Sequence, residues 1–295
     1  MNSNNRGYYR GLFFMMVVMA VSCANDIIAK FMGQRLDALQ VIFFRFFFGL
    51  ITLLPFALSR GKEVFKSHQL GLNLTRGVLG ALSFFLYTYS VIHLPLVEVV
   101  AILWTVPLFV LILSIIYLRE EVSGLRWIAT LIGFVGLSFI SLYDSGTFIS
   151  FKWLYIIPIS SSLLFAVQDV MIKKIVDNES RITMLLYFAV VTSAISLVPA
   201  LLVWKTPTPF ECSMLLLLGV GGNLIQYFLF KAFRATDLSA LAPFRYVEFL
   251  FSAFFAFVFF AEVPGANVLI GAAILIPSTL YLAYNEKQQG LQQSA

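Results

Sequence analysis

What most constrains this chain is a succession of apolar runs, each long enough to cross a bilayer and separated from the next by short polar stretches. A helix needs about 20 mostly apolar residues to traverse the hydrocarbon core. Runs of that kind are predicted over 11–32, 38–58, 70–92, 95–118, 125–143, 152–175, 182–203, 211–234, 238–261 and 266–284. In lipid a helix satisfies its own backbone hydrogen bonds, so the expected class is an all-α integral membrane protein of ten transmembrane helices. The connections leave no room for a separate soluble domain, and neighbouring helices are expected to pack antiparallel. Composition agrees: 60% of the residues are hydrophobic, 12% are charged and the mean hydropathy is +0.90. A soluble domain usually carries about twice that charged fraction.

The net charge of +5 raises the question of a nucleic-acid partner, but the basic residues sit between the apolar runs and act as orientation signals. With the N-terminus in the cytoplasm, fourteen Lys and Arg fall on the inner side, Arg60, Arg76, Arg126, Lys173 and Lys231 among them. Only Lys30, Arg35, Lys152 and Lys205 fall outside. Both termini are therefore expected to be cytoplasmic. The first run reads as a retained helix, because no small-residue cleavage site follows it. Cys23 and Cys212 have no metal-ligand or disulfide spacing and read as small buried hydrophobes.

The two halves resemble each other. Asn25-Asp26 with Lys30 recurs as Gln168-Asp169 with Lys173, Gly80 recurs as Gly222, and Glu120 recurs as Glu262, at offsets of 143, 142 and 142 residues. Five helices is an odd number, so the second copy must be inserted upside down. The expected organisation is two inverted five-helix repeats, 1–147 and 148–295, a ground plan common among secondary transporters.

Ionisable groups inside spans are costly and mark function unless they are neutralised. Asp26, Arg45 and Glu98 are expected to form an outer charged layer, and Asp169, Arg245 and Glu248 an inner one. Pro107 and Pro243 should kink the helices between them. Tyr87, Trp104 and Tyr246 lie near these charges, with faces suited to stacking a flat ring or holding a cation. The plainer alternative for Asp26 with Lys30, and for Asp169 with Lys173, is self-neutralisation at i,i+4 while the lysine snorkels. Glu120 and Glu262 close their helices and read as structural. Tyr89, Tyr227, Asn223 and Gln226 read as packing or interfacial residues.

With two histidines, His68 and His93, no metal cluster, phosphate-cradling loop or nucleophile elbow can be assembled. No cofactor, no metal and no enzymatic activity are expected, and the chain does not power transport by hydrolysing ATP.

Ten spans in two inverted halves, with a glutamate closing the fourth and ninth, resemble the EamA family of the drug/metabolite transporter superfamily. Ser22-Cys-Ala-Asn-Asp26, Phe43-Phe-Arg-Phe-Phe47, Ala242-Pro-Phe-Arg-Tyr-Val-Glu248 and Ile276-Pro-Ser-Thr-Leu280 are further similar to the S-adenosylmethionine uptake transporters of intracellular bacteria. The resemblance implies a multi-pass carrier of the bacterial inner membrane, working by alternating access on a small-molecule substrate, by exchange with a related metabolite or by ion coupling. Arg45 or Arg245 would bind the substrate carboxylate, and Asp26, Asp169 or Glu248 would balance its cationic groups. An exporter of amino acids on the same scaffold, or a membrane enzyme or receptor that moves nothing, are the alternatives. The partners expected are the substrate and the bilayer; a monomer and a homodimer are both open.

Overall fold

The apolar runs become helices whose exposed and buried faces are those of a protein dissolved in lipid. On the second helix Phe47, Ile51, Leu54 and Leu58 are exposed, a stripe at i, i+4, i+7 and i+11 that faces outward. Phe43, Phe44, Phe46, Gly49 and Leu53 are buried. The computed structural model describes residues 3–94, 102–145 and 153–248, with scattered positions at 99 and between 250 and 285.

The main helices in chain order are α1 (Ser3–Met32), α2 (Ala38–Ser59), α3 (Leu70–His93), α4 (Val106–Leu113) and α5 (Gly124–Ser145). They are followed by α6 (Ile156–Ile175), α7 (Arg181–Leu202), α8 (Pro209–Ala235) and the short α9 (Leu238–Leu241). No strand occurs among the described residues. Six segments are long and apolar enough to span a membrane: Arg6–Ala29, Ala38–Ser59, Leu70–Ser90, Trp153–Ile175, Arg181–Leu202 and Pro209–Ala235. They coincide with the first three and the sixth to eighth predicted runs.

The fourth and ninth runs differ from expectation, because each is broken rather than merely bent. Trp104 and Thr105 form a turn before α4, and Ser114–Leu118 closes as a π-helix. Pro107 occupies the first turn of α4, where its missing N–H costs nothing. After α9 the chain tightens into a 3-10 segment, Ala242–Val247, that opens on Pro243. Glu98 and Glu262 lie outside the described residues, as do much of the tenth run and Ser278 and Thr279 of the Ile276–Leu280 motif.

α1 packs on α8, α2 on α7 and α8, α3 on α6 and α7, and α4 on α6. Small residues permit the closest crossings. A Cβ on Gly219 of α8 would come within 2.6 Å of the Gly49 backbone on α2, and one on Gly77 of α3 would come within 2.6 Å of Val191 on α7. The densest apolar packing surrounds Met184, Ile175, Phe230, Phe233, Val110 and Leu241.

Polar groups fasten the helix ends. Asp37 caps α2 by accepting from the Leu39 amide at 2.9 Å. Thr208 and Glu211 form a capping box at the start of α8. Glu211 also accepts from Arg35 in the α1–α2 connection, and this hydrogen bond raises the pKa of the Arg35 guanidinium further. At the opposite end Glu179 accepts from Ser67 at 2.7 Å, joining the α2–α3 and α6–α7 connections. Glu120 accepts from the first amides of α9, Leu238 at 2.9 Å and Ser239 at 2.8 Å, which is the structural role expected of it. Arg126, buried at the start of α5, donates to Ser239 at 2.8 Å.

Candidate functional site

Asp26 is exposed although it does not face lipid. The outward stripe of α1 runs through Phe13, Ala24 and Phe31, and Asp26 lies two residues from Ala24, about 200° around the helix. Its exposure is therefore to an interior space. Arg45, on the buried side of α2, and Glu248, just past the 3-10 segment, lie within electrostatic reach of Asp26. Tyr87 of α3 lies within reach of Asp26, Glu248 and Arg45. Three charges and a tyrosine from α1, α2, α3 and the ninth run thus lie close enough to influence one another. Among the described residues neither Asp26 nor Arg45 has an ion-pair partner.

Arg45 is held by its surroundings without being neutralised. Its guanidinium lies 5.4 Å from the centre of the Phe84 ring, and its Nε is buried without a hydrogen-bond partner. Gly222 lies against it, and a Cβ there would meet that Nε at 3.4 Å, an ordinary van der Waals contact. A small pocket beside Arg45 is lined by Phe84, Phe188, Asn223 and Gln226. Asn223 is anchored by donating to the Gly49 carbonyl at 2.7 Å. A desolvated, unpaired arginine is a strong receptor for a carboxylate, because both of its parallel N–H groups are free to donate.

Asp169 and Arg245 behave differently. They form an ion pair at 2.5 Å, with side chains 8% and 18% exposed. The expected pairing of Asp169 with Lys173 does not occur. Lys173 donates instead to the carbonyls of Phe233 and Thr236, at 2.5 and 2.6 Å, and so caps the C-terminal end of α8. The physical reason is competition: those carbonyls are orphaned where the helix ends, while Arg245 offers Asp169 a planar donor. For the Asp26–Lys30 pair, the Lys30 side chain lies outside the described residues.

The two broken helices meet. The Tyr246 hydroxyl donates to the Trp104 carbonyl at 3.1 Å, and the Tyr246 ring packs on Gly133 of α5. Tyr246 is 2% exposed, so in this conformation its faces are taken by protein. Glu248 is hydrogen-bonded by Ser22 and lies within reach of both Asp26 and Arg245. The expected outer and inner layers are thus linked through Glu248.

Arg76 was counted among the orientation signals, but it is fully buried between α3, α7 and α8. It donates to the Met184 carbonyl at 2.5 Å and lies 4.6 Å from the Phe188 ring centre. Its position six residues inside the third apolar run was the available signal. Among the described residues no group of three or more His, Cys, Asp or Glu is arranged to hold a metal.

A protein of many apolar helices, two of them broken, around charged side chains held within the membrane has the make-up of a solute carrier. The chain belongs to the EamA-like transporter family, whose model matches residues 9–142 and again residues 152–284. A Rickettsia felis protein named S-adenosylmethionine uptake transporter is 38% identical over 288 residues, covering 98% of this chain and 97% of that protein. A Vibrio cholerae protein named riboflavin transporter is 28% identical over 258 residues, covering 86% of this chain and 85% of that protein. A crystal structure 16% identical in sequence shares the fold at a TM-score of 0.79, with 96% of this chain and 98% of that one covered.

Proposed function

We propose that this protein imports S-adenosylmethionine across the bacterial inner membrane by alternating access, in exchange for a related metabolite such as S-adenosylhomocysteine. The reading rests on Arg45, which has no ion-pair partner among the described residues and lies within electrostatic reach of Asp26 and Tyr87, with Glu248 within reach of those two. S-adenosylmethionine carries a carboxylate, an ammonium, a sulfonium and an adenine. Arg45 takes the carboxylate; Asp26 and Glu248 balance the two cationic centres; Tyr87 stacks the adenine. Arg245 is excluded from the first role while Asp169 holds it, and Trp104 and Tyr246 serve the gate rather than the ligand. The 38% identity to a transporter of that name over nearly the whole chain supports the choice of substrate.

The architecture proposed is ten helices in two inverted repeats, 1–147 and 148–295, with both termini cytoplasmic. The helix contacts support it. Exchanging each of the first three helices with the one five places later turns the α1–α8 contact into α6–α3 and the α2–α8 contact into α7–α3. The same exchange returns α2–α7 to itself. The close crossings follow, because Gly219 against Gly49 becomes Gly77 against Val191 at the same offset of 142 residues. Two copies that occupy unlike conformations can trade them, which opens one side and then the other. The tie of Asp169 to Arg245, with Glu120 holding α9 and Tyr246 reaching Trp104, is the closed inner gate.

The test is uptake of labelled S-adenosylmethionine into liposomes containing the purified protein, with unlabelled riboflavin and S-adenosylhomocysteine as competitors. Saturable uptake, blocked by S-adenosylhomocysteine and not by riboflavin, is expected. Uptake blocked equally by riboflavin would redirect the assignment to a flat-ring site of low selectivity.

A further inference from the structure

A second charged pocket lies away from the Arg45 site, where the beginnings of α1 and α7 meet the end of α8. Arg10, Arg181, Lys231 and Arg234 line it, together with Phe14. Among the described residues its lining contains no carboxylate, and nearby Asp177 is bound to Arg234 at 3.1 Å. Four cations against one carboxylate leave a net positive pocket with room for an anion.

The ordinary reason for basic residues at a helix end is to offset the partial negative charge of the last carbonyls. Here Lys173 already takes two of those carbonyls. Lys231 turns instead into an aromatic nest, 4.7 Å from the Tyr227 ring centre and 5.1 Å from that of Phe14. Arg181 lies 5.8 Å from the same Tyr227 ring, whose hydroxyl accepts from both Lys231 and Arg181, while the Arg181 Nε is buried with no hydrogen-bond partner among the described residues. A buried donor left open at the wall of a cationic pocket is a vacancy for an acceptor.

The pocket is continuous with the outward faces of its helices. Lys231 lies seven and fourteen residues beyond Leu224 and Leu217, two exposed leucines on one face of α8. Arg10 is exposed one turn before Phe13, which is 63% exposed on α1. Cations sit at the helix ends and apolar side chains lie immediately deeper, which is how a phospholipid is divided between headgroup and acyl chains.

We propose that this pocket binds a phosphate group, carried by the headgroup of an anionic phospholipid whose chains lie along Phe13, Leu217 and Leu224. Because Arg10 and Lys231 lie outside the proposed substrate site, this inference stands apart from the identity of the transported solute.

The test uses the full chain in detergent, with phosphatidylglycerol, phosphatidylcholine or inorganic phosphate added. Retained lipid is read by native mass spectrometry and stability by thermal melting. Phosphatidylglycerol should be retained and should raise the melting temperature where phosphatidylcholine does not. Arg10→Gln with Lys231→Gln should weaken phosphatidylglycerol retention about 30-fold, and the exposed Arg10→Gln alone about 5-fold. Arg10→Lys with Lys231→Arg should keep most of it. Protection by inorganic phosphate that equals phosphatidylglycerol would uphold the phosphate site and assign it to a soluble anion. Equal retention of both lipids, or retention untouched by a folded double variant, would overturn the proposal.

Discussion

Replacing Asp169 with Asn removes the charge that balances Arg245 while keeping the side-chain volume. The pair is short, at 2.5 Å, and its two side chains are 8% and 18% exposed, so it sits well toward the buried limit. Breaking a buried pair by removing one partner costs about 3–5 kcal/mol, because the remaining charge is left in a medium that solvates it poorly. The residual exposure of Arg245 puts the expected loss near the lower end, at about 3 kcal/mol. Arg245→Gln should cost less, since the carboxyl left behind can neutralise itself by taking up a proton and a guanidinium cannot. The double variant Asp169→Asn with Arg245→Gln should recover part of the loss, with a coupling of about 2 kcal/mol. Unfolding of the four proteins in mixed micelles, followed by loss of helical circular dichroism, closes the cycle. A coupling below about 0.5 kcal/mol would mean that the two side chains act as independent sites and not as a buried pair.

Arg45→Gln should reduce the apparent affinity for S-adenosylmethionine about 10- to 100-fold, the range for losing a charge-assisted hydrogen bond. It should also abolish the preference over decarboxylated S-adenosylmethionine, which competition uptake reads directly. Asp26→Asn should lower uptake at least 10-fold while leaving unfolding within about 0.5 kcal/mol of wild type, since none of the ion pairs among the described residues includes Asp26. Gly219→Ala should destabilise by about 1–3 kcal/mol in the same unfolding assay, because the new Cβ meets the Gly49 backbone at 2.6 Å and backbone cannot step aside cheaply. Glu120→Ala should cost about 1–2 kcal/mol by uncapping α9, and hydrogen exchange at Leu238 and Ser239 should rise with it.

The sequence made the membrane class and six of the spans legible, because the periodic signal there is the apolar run itself and its length is set by the bilayer. It was less legible where proline and tertiary contacts compete with the run. The fourth run reads as one helix by hydropathy, yet the chain turns at Trp104–Thr105 and resumes at Val106, a break that Pro107 tolerates and hydropathy does not register. Of the proposed site, Asp26, Arg45, Tyr87 and Glu248 could be singled out by the cost of polar groups in lipid, and they lie within electrostatic reach of one another. Their partners could not be read. Local spacing pointed Asp169 to Lys173 on its own helix, but Arg245, 76 residues further on, is the residue that holds it. The depth of Arg76 inside the third run pointed to its burial, but sorting basic residues by membrane side gives depth no weight.

The central claim is that this chain exchanges S-adenosylmethionine through a single alternating site, and counterflow tests it most directly. Liposomes containing the protein and preloaded with unlabelled S-adenosylmethionine or S-adenosylhomocysteine are diluted into a trace of labelled S-adenosylmethionine. A transient accumulation of label above equilibrium is expected, produced by either preload and removed by Arg45→Gln. Folded wild-type protein that gives no accumulation over empty liposomes would contradict it.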